Sequence, residues 1–368
     1  MVNSLIEMRR CKMHKHWISW MIAITGSVGS LSADNCFSDC ANNFEFTGEY
    51  LHFKPSLDDN YFVIKASNPE EQFNNGSRKT ANFGYHGGFR LGLAYNVPCS
   101  PRKISAWYTQ LKCSAGNSIE GTGLSATAGP AVLDGSTFFG NENFFNNYEG
   151  SAKVHIKNSY QRGDVLISQS VYDCEGLRFD ILAGVEMAKV KNRRDFEYRN
   201  EGDDTPLQRY GIYTDISRTS GVGPQVGLEL TYDLMKGNCD LSGDLTLKVR
   251  ASGSLLASSS ENIERSYSIP ILDSTEDDQF YLNFSNERTW RAVTALHGRV
   301  GLNYAINCGC LNGNFEIGYE VSNYLRMIYW TSFPDVDDSD DIEVSSLSSN
   351  RYSSFGLQGL YLSMTLDF

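Results

Sequence analysis

Residues 360–368 set the period for everything that precedes them. Leu360, Leu362, Met364, Leu366 and Phe368 fall on one side of an extended chain, and Tyr361, Ser363, Thr365 and Asp367 on the other, because successive side chains of a strand point to opposite faces. In water a strand with an unbroken apolar face and an unpaired edge invites aggregation. In a bilayer the same face meets hydrocarbon. Strands cross hydrocarbon only in a closed sheet, since an open edge there leaves backbone N–H and C=O groups without partners.

The alternation recurs from residue 44 onward. Segments that read as strands are 44–57, 82–97, 103–115, 148–172, 178–199, 208–235, 243–268, 286–307, 314–331 and 353–368. That makes about ten, and the longest segments allow any number from eight to fourteen. Connections fall into two classes. Those at 98–102, 173–176, 236–242 and 308–313 are tight, whereas 58–81, 116–147, 269–285 and 332–352 are long, acidic or rich in Gly, Asn and Ser. Short turns on one side and long loops on the other are the asymmetry of a bacterial outer-membrane barrel with both termini in the periplasm. The expected fold is therefore all-β: a transmembrane antiparallel β-barrel with periplasmic turns and extracellular loops. Tyr95, Tyr232, Tyr304, Tyr329 and Trp330 lie near strand ends, as interfacial girdles require. In such a barrel the terminal row ending in Phe368 would act as the signal to the barrel-assembly machinery.

The N-terminus fits export. Arg9, Arg10, Lys12 and Lys15 form a basic region, an apolar stretch follows from Trp17 to about Val28, and Leu31-Ser-Ala33 offers small residues for cleavage before Asp34. Residues 1–33 are thus the expected signal, with Met13 an alternative start, 34–43 a periplasmic segment, and 44–368 the barrel. The net charge of −12, with no basic block in the sequence after the signal, argues against a nucleic-acid binder. Outer-membrane lipid and lipopolysaccharide are the expected surroundings.

Where one face is clearly apolar, period two assigns the other to the lumen. Phe89, Leu91, Leu93 and Tyr95 face lipid in this reading, which turns His86, Arg90 and Asn96 inward. The same parity assigns Glu186, Gln225, Glu229, Lys248, Arg250, Arg291, His297, Arg299, Glu316 and Glu320 to the interior. Charges of both signs would line a channel or pair with one another and fill a narrow barrel. No catalytic residues are expected. No G-x-S-x-G surrounds any serine and no His-x-x-x-His pair occurs after the signal; His86, His155 and His297 are the histidines a hydrolase at the lumen rim would draw on. The acidic run 335–343 lacks the glycine-punctuated spacing of a calcium loop, so neither metal nor cofactor is expected.

The stretches FTGEYLHFKPS (46–56), FGYHGGFRLGLAYNV (83–97), LRFDILAGVEMAKV (177–190), GVGPQVGLELTYDL (221–234), FEIGYEVSNYLRMIYW (315–330) and GLQGLYLSMTLDF (356–368) resemble the Legionella-type major outer membrane protein family, which includes porin-like proteins of the environmental chlamydiae. Their order spans nearly the whole mature chain. The resemblance implies a pore-forming outer-membrane barrel that admits small hydrophilic solutes by passive diffusion. The competing expectation is a non-conducting structural protein or adhesin that displays its long loops.

Eight of the nine cysteines lie beyond the signal and would meet an oxidising compartment. Each expected turn holds at least one: Cys99, Cys174, Cys239, and Cys308 with Cys310. Cys36 and Cys40 precede the first strand on the same side, and Cys113 stands apart. These seven turn-side thiols are candidate disulfides, in part to neighbouring barrels or other envelope proteins, a lattice consistent with the chlamydial resemblance.

Overall fold

The computed structural model describes residues 43–58, 60–67, 76–127, 148–174, 176–201, 209–235, 243–270, 279–284, 288–308, 311–332 and 349–368. The expected signal, the acidic run 335–343, and Cys36, Cys40, Cys239 and Cys310 lie outside them. Fourteen strands follow in chain order: β1 (Phe44–Leu57), β2 (Tyr61–Ala66), β3 (Gly76–Thr80), β4 (Asn82–Phe83), β5 (His86–Asn96), β6 (Arg102–Ala126), β7 (Tyr148–Cys174), β8 (Leu177–Asn200), β9 (Arg209–Met235), β10 (Leu245–Pro270), β11 (Gln279–Phe284), β12 (Arg288–Cys308), β13 (Leu311–Ser332) and β14 (Ser349–Asp367).

Ten of them close a circle. The order around the wall is β6, β5, β1, β14, β13, β12, β10, β9, β8, β7 and back to β6. First and last strands pair antiparallel, from Glu45 opposite Asp367 to Leu57 opposite Phe355, so the terminal strand has no bare edge. β2 and β4 pair with the far end of β6, β3 pairs with β2, and β11 with β10. All four extend the wall at the end where the long connections lie.

β1 contains the logic of the whole wall in 14 residues. Its outward side chains run Phe44, Phe46, Tyr50 and then His52, Lys54, Ser56. Its inward ones run Glu45, Thr47, Glu49 and then Leu51, Phe53, Leu57. Alternation continues without a break while the polarity of the two faces swaps between Tyr50 and His52. β8 repeats it: Phe179, Ile181, Val185 and Met187 face out, followed by Lys189, Lys191 and Arg193, while inside Asp180 and Glu186 give way to Ala188, Val190, Phe196 and Tyr198, with Asn192 and Arg194 buried between them. The apolar outward stretch covers nine residues in β8 (179–187) and eleven in β9 (222–232), the number a tilted strand needs to cross hydrocarbon. Toward the loops the barrel is an ordinary water-facing one, with a core that includes Leu51, Phe53, Leu111, Val154, Ile156, Phe196 and Phe355.

This extension accounts for two departures from the sequence expectations. β6 continues to Ala126 instead of stopping at 115, because its outer face there is Ser114, Gly116 and Ser118 and mimics a loop in composition. Tyr329 is not an interfacial aromatic but a core residue, 1% exposed, since it sits where the interior is apolar. At the turn end Tyr232, Tyr304, Phe44 and Phe368 are exposed, as a girdle requires, together with Leu360, Leu362 and Met364 of the terminal row.

Candidate functional site

Within the lipid-facing belt the interior is charged, and it is built in three levels. Nearest the short turns, Lys103 on β6 pairs with Glu45 on β1, to which Asn96 also donates at 2.8 Å. Arg178 and Asp180 pair along β8 at 3.0 Å, Arg250 meets Glu229 at 3.9 Å, and Lys248 meets Glu316 at 3.6 Å. These groups surround a polar vestibule of about 240 Å³ whose wall includes Trp107, Thr47, Thr231 and Thr365.

One level deeper, two guanidiniums share a carboxylate. Arg90 donates to Glu49 at 2.9 Å, to both oxygens of Glu320 at 2.7 and 2.8 Å, and to Thr109 at 2.9 Å. Arg299 donates to the other oxygen of Glu49 at 2.8 Å and to Glu316 at 2.8 and 3.2 Å. Its plane lies 3.7 Å from the centre of the Tyr361 ring, a cation–π contact, and the Tyr361 hydroxyl donates to Glu316 at 2.6 Å. The wall makes room for that ring. Gly318 is the register partner of Tyr361 and Gly301 that of Gly318, and a Cβ at either would lie 2.4 or 2.2 Å from the tyrosine oxygen.

The third level centres on Glu186. It accepts from Tyr324 at 2.7 Å and from Ser254 at 2.6 Å, and its oxygens lie 3.1 and 3.2 Å from His297 Nε2. Arg162 pairs with Asp164 at 2.9 Å, stands 3.4 Å from Glu186, and reaches His297 Nδ1 at 3.1 Å. A neutral imidazole with its proton on Nε2 satisfies both ring nitrogens in this arrangement. A small space of about 50 Å³ separates this level from the one below. Above it the lumen ends in apolar packing: the hydroxyls of Tyr160 and Tyr324 meet at 2.8 Å, the Tyr160 ring is 5.7 Å from Phe355, and Leu256 and Val293 are fully buried beside them.

Eleven of the thirteen sequence-assigned lumen residues come together here: Arg90, Asn96, Glu186, Gln225, Glu229, Lys248, Arg250, His297, Arg299, Glu316 and Glu320. Two do not. His86 bonds the Ser114 carbonyl at 2.9 Å, where β5 has parted from β6. Arg291 lies beyond the tyrosines, donating to the Met327 carbonyl at 2.7 Å and stacking 4.2 Å above Tyr352. The sequence reading missed Glu45, Glu49, Lys103, Arg162, Asp164, Arg178 and Asp180, although each alternates with lipid-facing neighbours. It also missed Tyr160, Tyr324 and Tyr361, because tyrosine serves on both faces. Among the cysteines, Cys99 occupies the β5–β6 turn with φ 57°. Cys174 ends β7 and is disulfide-bonded. Cys113 is buried in the wall with its sulfur 3.8 Å from the Asn158 carbonyl.

Comparison with known proteins gives one strong match. The family model described as Legionella pneumophila major outer membrane protein precursor matches residues 37–368. No curated protein matches. Among solved structures, the outer membrane protease OmpT from Escherichia coli is 10% identical with a TM-score of 0.44, over 90% of this chain and 98% of that one. The Ralstonia pickettii toluene transporter TbuX is 9% identical with a TM-score of 0.28, over 89% and 90%. A Pseudomonas aeruginosa FadL homologue is 8% identical with a TM-score of 0.23, over 89% and 91%.

Proposed function

The chain belongs to the Legionella pneumophila major outer membrane protein family, and from that premise we propose that this outer-membrane barrel is a narrow channel through which ions and small hydrophilic solutes diffuse passively when the tyrosine layer parts. The short turns lie in the periplasm, so the vestibule opens inward to the cell. What carries the proposal is the composition of the lumen at membrane depth. Replacing buried ion pairs by well-packed apolar side chains of similar volume is often neutral or stabilising by about 1–4 kcal/mol. A barrel needed only as a wall would gain by such a filling, as the loop end has where Leu51, Phe53, Leu111, Ile156 and Phe355 pack together. Here seven cations (Arg90, Lys103, Arg162, Arg178, Lys248, Arg250, Arg299) face eight carboxylates (Glu45, Glu49, Asp164, Asp180, Glu186, Glu229, Glu316, Glu320). Near balance of sign favours weak selectivity.

The packing of Tyr160, Tyr324 and Phe355 favours a second reading, a non-conducting structural protein. Planar-bilayer recording separates the two. The channel reading expects brief, small steps from the native protein, larger steps from Tyr160→Ala/Tyr324→Ala, and a shift toward cation selectivity in Lys248→Glu/Arg250→Glu, whose side chains border the vestibule. Silence from the native protein and from the tyrosine variant alike would establish the structural reading.

A further inference from the structure

The outer wall carries a patch of uncompensated positive charge immediately above the lipid-facing belt, on one side of the barrel. Register fixes its layout. The top row of the belt on β6–β9 is Tyr108, Gly163, Met187 and Val222, which are successive cross-strand partners. The next outward row is Gln110, Gln161, Lys189 and Ser220, and the one above is Lys112, Ser159, Lys191 and Arg218. Then come Ser114, Lys157 and Arg193. Lys112, Lys157, Lys189, Lys191 and Arg193 are all exposed.

Neighbouring acids are already engaged. Asp195 holds Arg193 at 2.9 Å, Glu197 faces Lys153 at 3.7 Å, and Glu261 lies 4.0 Å from Arg218. Among the described residues Lys112, Lys157, Lys189 and Lys191 have no ion-pair partner. Lys157 stands directly opposite Arg193, and like charges in directly opposed positions destabilise a sheet. Four lysines in an area about two strand spacings wide, roughly 10 Å, therefore hold a field that only an anion from outside can neutralise. The corresponding height on the far wall carries His52, Lys54, Gln358, Ser56 and Asn323, without such a cluster.

We propose that this patch binds a phosphorylated acyl-glycolipid of the outer leaflet, the lipid A portion of lipopolysaccharide. Its height selects the ligand. The phosphates of a membrane glycolipid lie at the boundary where the wall changes from apolar to polar, and its acyl chains would descend along Val165, Ile167, Ile181, Val185 and Met187, which are exposed below the lysines. A soluble polyanion would have no use for that apolar apron. Binding on one side only gives the barrel a fixed lipid neighbour and an orientation among other barrels.

The test uses the purified full-length protein in nanodiscs and measures retention of bisphosphorylated lipid A, dephosphorylated lipid A and phosphatidylglycerol by native mass spectrometry. The native protein should retain the bisphosphorylated form selectively. At about fivefold per lysine, Lys157→Ala/Lys189→Ala/Lys191→Ala should weaken retention roughly a hundredfold, while Lys54→Ala on the far wall leaves it unchanged. Heat-modifiable migration of the triple variant verifies folding, and its conductance should equal that of the native protein, which keeps this inference separate from the channel proposal. Equal retention by the folded triple variant, or equal retention of the dephosphorylated lipid or of phosphatidylglycerol, overturns the assignment.

Discussion

The same strands build two barrels, one inside hydrocarbon and one above it, and the two are opposites. In the belt, Phe46 and Tyr50 face out while Thr47 and Glu49 face in; two residues on, His52 and Lys54 face out and Leu51 and Phe53 face in. Neither backbone pairing nor side-chain period changes at that point. What changes is the solvent, and the chain answers by exchanging which face is apolar. The hydrophobic effect shapes the loop end in the usual way, by burying Leu111, Ile156 and Phe355. In the belt the apolar side chains are turned outward to lipid, and charge pairing is the organising interaction among the groups left inside.

If the two regions obey different rules, matched substitutions should separate them. The largest effect is expected from Arg90→Ala, which strips buried Glu320 of its bidentate partner and leaves Glu49 with Arg299 alone, at about 3–5 kcal/mol. In urea unfolding from lipid vesicles, Arg90→Met with Glu49→Gln and Glu320→Gln should recover most of that loss. A triple variant as unstable as Arg90→Ala would mean that volume, not charge, organises the belt interior.

A somewhat smaller effect is expected for an outward charge. Val185→Arg in mid-belt should cost about 2–4 kcal/mol, whereas Ser56→Arg, outward on β1 above the boundary and opposite Gly356, should stay within about 0.5 kcal/mol. Equal costs in the same unfolding assay would place Ser56 in lipid and move the boundary.

The smallest contrast concerns fit. A Cβ at Gly92 would lie 2.4 Å from the Trp107 ring, while one at Gly48 would meet nothing within 4 Å. Gly92→Ala should therefore destabilise by about 1–3 kcal/mol and narrow the vestibule, seen as reduced conductance in any conducting state. Gly48→Ala should change neither quantity.

Much of this was legible without coordinates. Segment 44–57 coincides with β1, about ten wall strands were counted, and eleven of the lumen groups were assigned by parity alone. Parity survives because it depends only on the backbone. Polarity does not, since the rule that the apolar face meets lipid holds for Phe179 to Met187 positions on β8 and reverses at Lys189. The errors cluster beyond that reversal: Tyr329 taken for an interfacial aromatic, Arg291 placed with the membrane-level charges, and the upper half of β6 taken for a loop. Pairings such as Arg90 with Glu320, 230 positions apart, depend on closure of the ring and leave no local mark in the sequence.

The length of the strands has a consequence for whatever meets this cell from outside. Above the last lipid-facing residue of β8, thirteen more residues, 188–200, remain in regular structure. At about 3.3 Å per residue and a tilt near 45° they raise the rim roughly 30 Å clear of the bilayer. The connecting segments are thus carried on a rigid pedestal through the sugar layer nearest the membrane. An antibody, phage fibre or host surface would meet this protein at a height that lipid-hugging barrels do not reach.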